Sequence, residues 1–342
     1  MVNKLKTSER SRLSYLDFYK GIAILFVIIT HYAWTDSLRA KLLFPFWIDM
    51  AVPIFMVITG YVNALSYENK NYKGILSLYK PNEILSKWLR LAIPFLPIYI
   101  LQAVSVTISD CDTVSIQELM LLFLLGGIGP GSYYFPVMLQ VVILSPAVWY
   151  IVKCHNFKGL AGCFIANVLF EIMKTVFMMS PSIYRLCSLR YLFILSFGFY
   201  LYCIKDDKTQ CKKKWYYLVG ILGACYITVF NYTDMEPIIT NQWTVTSVFA
   251  VMFIVPVMLH LMRPQTIRCA IVESLGQASW DVFLVQMCYY WAVFGKIYPY
   301  ISSIPLGLLI NTVVCSVVGI CYCKVETPIT QRALGSIRGC RR

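Results

Sequence analysis

The chain has 342 residues, 58% hydrophobic and 14% charged, with a formal net charge of +13 and a mean hydropathy of +0.65. Soluble globular domains carry about 45–50% apolar and about 25% charged residues, so a soluble fold is excluded; the alternating pattern of a membrane β-barrel is also absent. The basic residues sit in short clusters between apolar runs, which points to positive-inside membrane topology and away from nucleic acid.

The amino-terminal stretch "MVNKLKTSERSRLSY" is basic and precedes an apolar run. That run is long, carries charges and lacks a small-residue cleavage site, so a retained first helix is expected instead of a signal peptide. Apolar stretches long enough to cross about 30 Å of hydrocarbon are expected at residues 14–33, 43–66, 88–108, 134–152, 159–179, 190–204, 215–231, 243–262, 276–294 and 304–324. One further apolar segment, Glu118 to Gly129, is too short to cross as a helix and is expected to be re-entrant or interfacial.

Basic clusters at residues 4–12, 67–90, 205–214, 263–268 and 332–342 all fall on one side if that short segment does not cross. The loops at 109–118 and 231–236 are acidic or neutral and fall on the other side. The expected fold is therefore all-α: a polytopic integral membrane protein of about ten transmembrane helices, with both termini cytoplasmic. Residues 1–342 form a single membrane-embedded domain in this reading, with a basic amino-terminus (1–13) and a basic tail (332–342). Arg39 and Lys41, in the outer loop at 34–42, run against the charge rule.

The first span carries Asp17, Lys20 and His31. Lys20 and His31 are 11 residues apart, three helical turns plus about 20°, so both lie on one face, about 16 Å apart along the axis. Asp17 is placed to neutralise Lys20 from three residues away. Ionisable groups in membrane spans mark a pathway or a site; the alternative is that Asp17 and Lys20 snorkel at one end while His31 sits among headgroups at the other. The 13 cysteines lie mostly within apolar runs and none has CxxC spacing. Cys321 and Cys323 alone cannot build a tetrahedral site, so no metal is expected.

"LDFYKGIAILFVIITHYAW" resembles the first helix of the membrane-bound acyltransferase 3 family, in which a basic residue, ten spacers and a histidine recur. "VPIFMVITGY" (Val52 to Tyr61), "KWLRLAIPF" (Lys87 to Phe95), "GSYYFPVMLQVVILSPAV" (Gly131 to Val148), "LGQASWDVFLVQ" (Leu275 to Gln286) and "YCKVETPI" (Tyr322 to Ile329) resemble further family segments, in the family's order. Polysaccharide and sugar O-acetyltransferases of bacterial envelopes are the most similar type. Two departures stand out: Lys20 replaces an arginine, and Gln286 replaces a histidine, which keeps hydrogen bonding but removes a titratable group.

The resemblance implies transfer of an acetyl or other short acyl group from acyl-CoA to a hydroxyl of an envelope polysaccharide or its lipid-linked precursor. The setting it implies is the bacterial plasma membrane. Acyl-CoA is then a donor substrate, with no bound cofactor and no nucleic acid partner. His31 is a candidate general base or transient acyl carrier, since imidazole titrates near operating pH. Lys87 and Arg90 are candidate donor-phosphate ligands, or else positive-inside anchors; Lys20 is a candidate to polarise the thioester carbonyl or to anchor a phosphate. Glu326 resembles the family's final glutamate and is expected to clamp Arg90 or Lys20. Tyr133 and Tyr134 are either interface-belt rings or a sugar platform, and Gln286 completes the supporting group.

Glu171 and Lys174 are expected to pair. Arg185 and Arg190 are placed just outside the membrane, as anion ligands or snorkellers. Asp281 is a candidate to hold a cation, and His155 and His260 fall at span ends. Two other classes stand beside the enzyme: a transporter or flippase, and an inactive relative that binds glycan. No internal repeat supports the transporter.

Overall fold

The computed structural model describes residues 2–70, 74–109, 115–205, 215–233, 269–301 and 303–339. All regular structure in them is helical: α1 (Val2–Thr30), α2 (Asp36–Lys41), α3 (Ala51–Asn69), α4 (Ile75–Leu78), α5 (Pro81–Ser109), α6 (Ile116–Leu124), α7 (Tyr134–His155), α8 (Phe157–Val176), α9 (Pro181–Leu186), α10 (Leu192–Cys203), α11 (Trp215–Tyr232), α12 (Ala270–Gln277), α13 (Ser279–Tyr289) and α14 (Ile304–Gly339). In hydrocarbon the backbone must satisfy its own hydrogen bonds, and a helix does so within one segment.

Among the described residues, five helices are long and apolar enough to cross a membrane: Phe44–Asn69, Ile75–Ile108, Tyr134–His155, Phe157–Val176 and Ile304–Ser336. They match the expected spans at 43–66, 88–108, 134–152, 159–179 and 304–324. Shorter apolar helices, Ser188–Cys203 and Leu218–Val229, match two more. The first expected span, 14–33, overlaps α1, which ends at Thr30. The span at 243–262, the basic cluster at 263–268 and His260 lie outside the described residues. The stretch at 276–294 is interrupted: Ala278 separates α12 from α13, and a π-helical turn follows at Tyr290–Phe294.

Several polar residues are buried while large apolar ones face outward. Gln102, Asn167, Asp281, Gln286, Asn311 and Glu326 are buried, while Leu101, Val104, Leu309, Val313, Val317 and Val325 are exposed. On α14 the exposed valines and leucine recur every four or eight residues, which draws an apolar stripe along one side. That pattern fits helices whose solvent is lipid.

α6 begins with a capping box in which Ser115 and Glu118 exchange side-chain and backbone hydrogen bonds. The N–H and hydroxyl of Ser115 hold the Glu118 carboxyl below its usual range. At nine residues α6 spans about 13 Å, too little to cross. The final helix continues past the expected span at 304–324. It runs through Pro328 to Gly339, although that proline removes one rung of the backbone ladder.

The chain forms two compact units, residues 1–78 with 144–277, and residues 79–143 with 278–342. In the first, α1 packs along α12 and α3, and α10 lies against α3 and α8. Gly60 and Gly198 let α3 and α10 meet backbone to backbone: a β-carbon on either would strike a carbonyl of the other helix. This accounts for the glycine in "VPIFMVITGY". In the second unit, α13 packs on α14 and both touch α5. Tyr322 donates to the Pro94 carbonyl at 2.6 Å, tying α14 to α5.

Candidate functional site

In the first unit, α1 buries Leu16, Tyr19, Ala23, Ile24, Val27 and Ile28, a spacing of three and four that places one face inward. Ile24 and Val27 share the stripe that runs from Lys20 to His31, so that stripe faces protein. Lys20 Nζ is 2.9 Å from Asp17 Oδ1, and the two side chains are 27% and 19% exposed. His31 is half-buried immediately beyond the last turn of α1.

That end of α1 is held by a group the sequence reading did not single out. Asp49 Oδ1 accepts from Arg39 Nη2 at 2.8 Å and from Thr30 Oγ1 at 3.3 Å. Trp34 Nε1 donates to the Ile29 carbonyl at 2.7 Å. Arg39, which broke the charge rule, is thus half of an ion pair whose carboxylate also holds Thr30, the residue before His31. The adjacent loop charge in "WIDM" was the available signal.

The neighbouring polar cluster departs from expectation. Glu171 is buried and accepts from the Tyr184 hydroxyl at 2.7 Å, whereas Lys174 lies over the Tyr184 ring, 5.2 Å from its centroid. Arg190 is buried, with its guanidinium 4.8 Å from the centroids of both Tyr184 and Tyr191. It is a packed, aromatic-stacked cation and not an outward-facing anion ligand; Arg185 is exposed.

In the second unit, Lys87 is half-buried and Arg90 exposed, both in the early turns of α5. Between them Trp88 Nε1 donates to the Leu139 carbonyl at 3.0 Å and fixes the helix against α7. Arg90 is available to an anion; no ion pair joins it to Glu326 among the described residues. Glu326 instead accepts from the hydroxyls of Thr327 (3.1 Å) and Thr330 (2.8 Å) on its own helix.

Tyr134 is not an interface-belt ring. It is buried, with its ring 5.3 Å from Phe283 and 6.3 Å from Trp280. Two motif segments therefore meet, "GSYYF" and "ASWDVFLVQ". Tyr133 is half-buried beside it. Gln286 is fully buried and donates from Nε2 to the Pro130 carbonyl at 3.3 Å.

The loop before α7 is "GGIGPG", in which Gly126, Gly127, Gly129 and Gly131 all have positive φ, a conformation that side chains disfavour. Gln102, fully buried on α5, grips it with both ends of its amide. Nε2 donates to the Ile128 carbonyl at 2.7 Å, and Oε1 accepts from the Ile128 N–H at 2.9 Å. A lone glutamine in an apolar run was the only sequence signal.

Several long apolar helices in an all-helical chain mark the class, an integral membrane protein. Residues 13–323 match the profile of the acyltransferase domain family, acyltransferase 3, and the chain belongs to that family. It is an acyltransferase, with an acyl donor and an acyl acceptor as substrates. Neither a curated protein nor a solved structure matches the chain.

Proposed function

We propose that this acyltransferase moves an acetyl or other short acyl group from acyl-CoA to a hydroxyl of an envelope polysaccharide or its lipid-linked precursor. Its setting is the bacterial plasma membrane, crossed ten times with both termini cytoplasmic. Supporting this reading most directly is the α1 stripe, where a Lys20–Asp17 ion pair and His31 share a face whose intervening residues are buried.

In the proposed chemistry, neutral His31 takes the proton of the acceptor hydroxyl as its oxygen attacks the thioester carbonyl. The carbon–sulfur bond breaks, the coenzyme A thiolate leaves, and the new ester holds the acyl group. Lys20, held by Asp17 at the opposite end of the stripe from His31, anchors a phosphate of the donor. Lys87 and Arg90 hold the donor's phosphates through charge-assisted hydrogen bonds. Gln286, Tyr133, Tyr134 and Glu326 support the architecture around the glycine loop and α14. Acyl-CoA is consumed as a substrate, and no bound cofactor takes part.

The test uses protein reconstituted in lipid with acetyl-CoA labelled on the acetyl group. Thiol release and label transfer to envelope glycan are followed for wild type and His31→Ala. Transfer by wild type, lost in the variant, supports the assignment. Absence of hydrolysis or transfer with acetyl, succinyl and butyryl donors across a glycan panel rules out the donor class.

A further inference from the structure

On α14, Cys323, Glu326 and Thr330 follow Gly319 at steps of four, three and four, so all lie on one face. Gly319 lies against Val282 of α13, where a β-carbon would collide with the Val282 main chain. This close approach brings Asp281 of α13 to the same place: one ligand atom each from Asp281, Cys323 and Glu326 lie within 4.8 Å of one another. Asp281 is 4% exposed and Glu326 9% exposed.

Two buried carboxyl groups and a thiol meet here, yet no cationic side chain pairs with either acid among the described residues. Lys324 and Arg332, on the same helix, are exposed. The Asp281 Oδ1 is buried with no hydrogen-bond donor. The Glu326 oxygens are oriented by the Thr327 and Thr330 hydroxyls, and Thr327 Oγ1 also lies 3.5 Å from Cys323 Sγ. A shell of hydroxyls orienting candidate ligands is what a metal site requires, while buried acids without a counter-charge are costly.

We propose that Asp281, Cys323 and Glu326 bind a thiophilic divalent cation of the zinc class, which ties α13 to α14. One thiolate with two carboxylates favours such a metal over magnesium or calcium, which take oxygen alone. Bonds of about 2.0–2.3 Å put tetrahedral ligand atoms about 3.3–3.8 Å apart, a spacing that small side-chain rotations reach from the present one. Binding releases the Cys323 thiol proton to solvent. The "CYC" sequence alone gave no such site, because its partners stand on another helix and one turn further along.

The test uses the untagged full chain in lipid, treated with chelator, desalted and equilibrated with cobalt(II) or zinc(II). Elemental analysis gives bound metal per chain, and thiolate-to-cobalt charge transfer reports the sulfur ligand. Wild type is expected to retain about one equivalent with the charge-transfer band and a raised thermal midpoint. Cys323→Ser is expected to lose the band, and Asp281→Asn to lose at least tenfold in affinity. Cys321→Ser, on the exposed side of α14, is expected to keep both signals. The proposal is overturned if folded wild type retains no metal, or if Cys323→Ser and Asp281→Asn keep the wild-type band and stoichiometry. A protonated-carboxyl infrared band abolished by Asp281→Asn in metal-equilibrated wild type's place would also overturn it, since a proton would then hold the site.

Discussion

Gly276 of α12 lies against the main-chain carbonyl of Asp17 on α1, with no room for a β-carbon between them. One turn along, Gly21 lies in the same way against the Val272 carbonyl. The glycine in "LGQASW" therefore sets the distance between α12 and the turn that carries the Asp17–Lys20 pair. Small residues permit such approaches where helices pack in lipid.

Gly276→Ala is expected to push α12 off α1, destabilise the protein by about 1–3 kcal/mol as overpacking does, and reduce acyl transfer. Gly162→Ala on α8 is the contrast, because nothing lies within 4 Å of a β-carbon there. It removes a flexible residue from a helix interior and is expected to stabilise by about 0.5–1 kcal/mol. Thermal midpoints and transfer rates of the two variants check the opposite signs; equal midpoints would rule out the close-packing argument.

The Asp17–Lys20 pair is partly exposed, and such pairs contribute about 0–1 kcal/mol to stability. Asp17→Asn is therefore expected to leave the thermal midpoint within a few degrees of wild type. If the pair orients Lys20 toward the donor, the same change lowers kcat/KM by a much larger factor, and Lys20→Arg preserves more activity than Lys20→Gln. A parallel fall in stability and rate, with Lys20→Gln as active as wild type, would argue for a snorkelling pair.

At the other end of the stripe, Asp49→Ala removes the shared acceptor of Arg39 and Thr30. Coupling between Arg39 and Asp49 in a double-mutant cycle is expected to be about 0.5–1.5 kcal/mol, since the bond is charge-assisted but not fully buried. Activity is expected to fall with it, because the last turn of α1 then loses its tether just before His31. Zero coupling would mean that the pair is only a surface contact.

Periodicity and length made much of this legible. Lys20 and His31 fall on one face because a helix repeats every 3.6 residues, and Glu118 to Gly129 is too short to cross at any orientation. Pairing between helices is not periodic, so nothing in the "CYC" run announces Asp281, 40 residues before it in sequence. Tyr134 and Arg190 are ambiguous in sequence for a related reason. An aromatic or basic residue near a span end reads as an interface group, yet Trp280 and Phe283 cover the one and Tyr184 and Tyr191 the other.

Gln102 tests whether the glycine loop is positioned by its clamp. Gln102→Leu leaves both the Ile128 N–H and its carbonyl without their partner, at a cost of about 1–3 kcal/mol for each buried group. Compensation by the loop itself is limited, because a β-carbon-free Gly127 already lies against Gln102 Oε1 and Gln286 reaches the loop at Pro130, two residues past Ile128, through a 3.3 Å bond. The expected outcome is a lower thermal midpoint, faster hydrogen exchange at the Ile128 amide, and weaker transfer, since Tyr133 and Tyr134 follow the loop directly. Exchange at Ile128 separates this from general destabilisation: it should rise in Gln102→Leu far more than at amides of α13 or α14. Uniform acceleration across the second unit would instead make Gln102 a packing residue with no special hold on the loop.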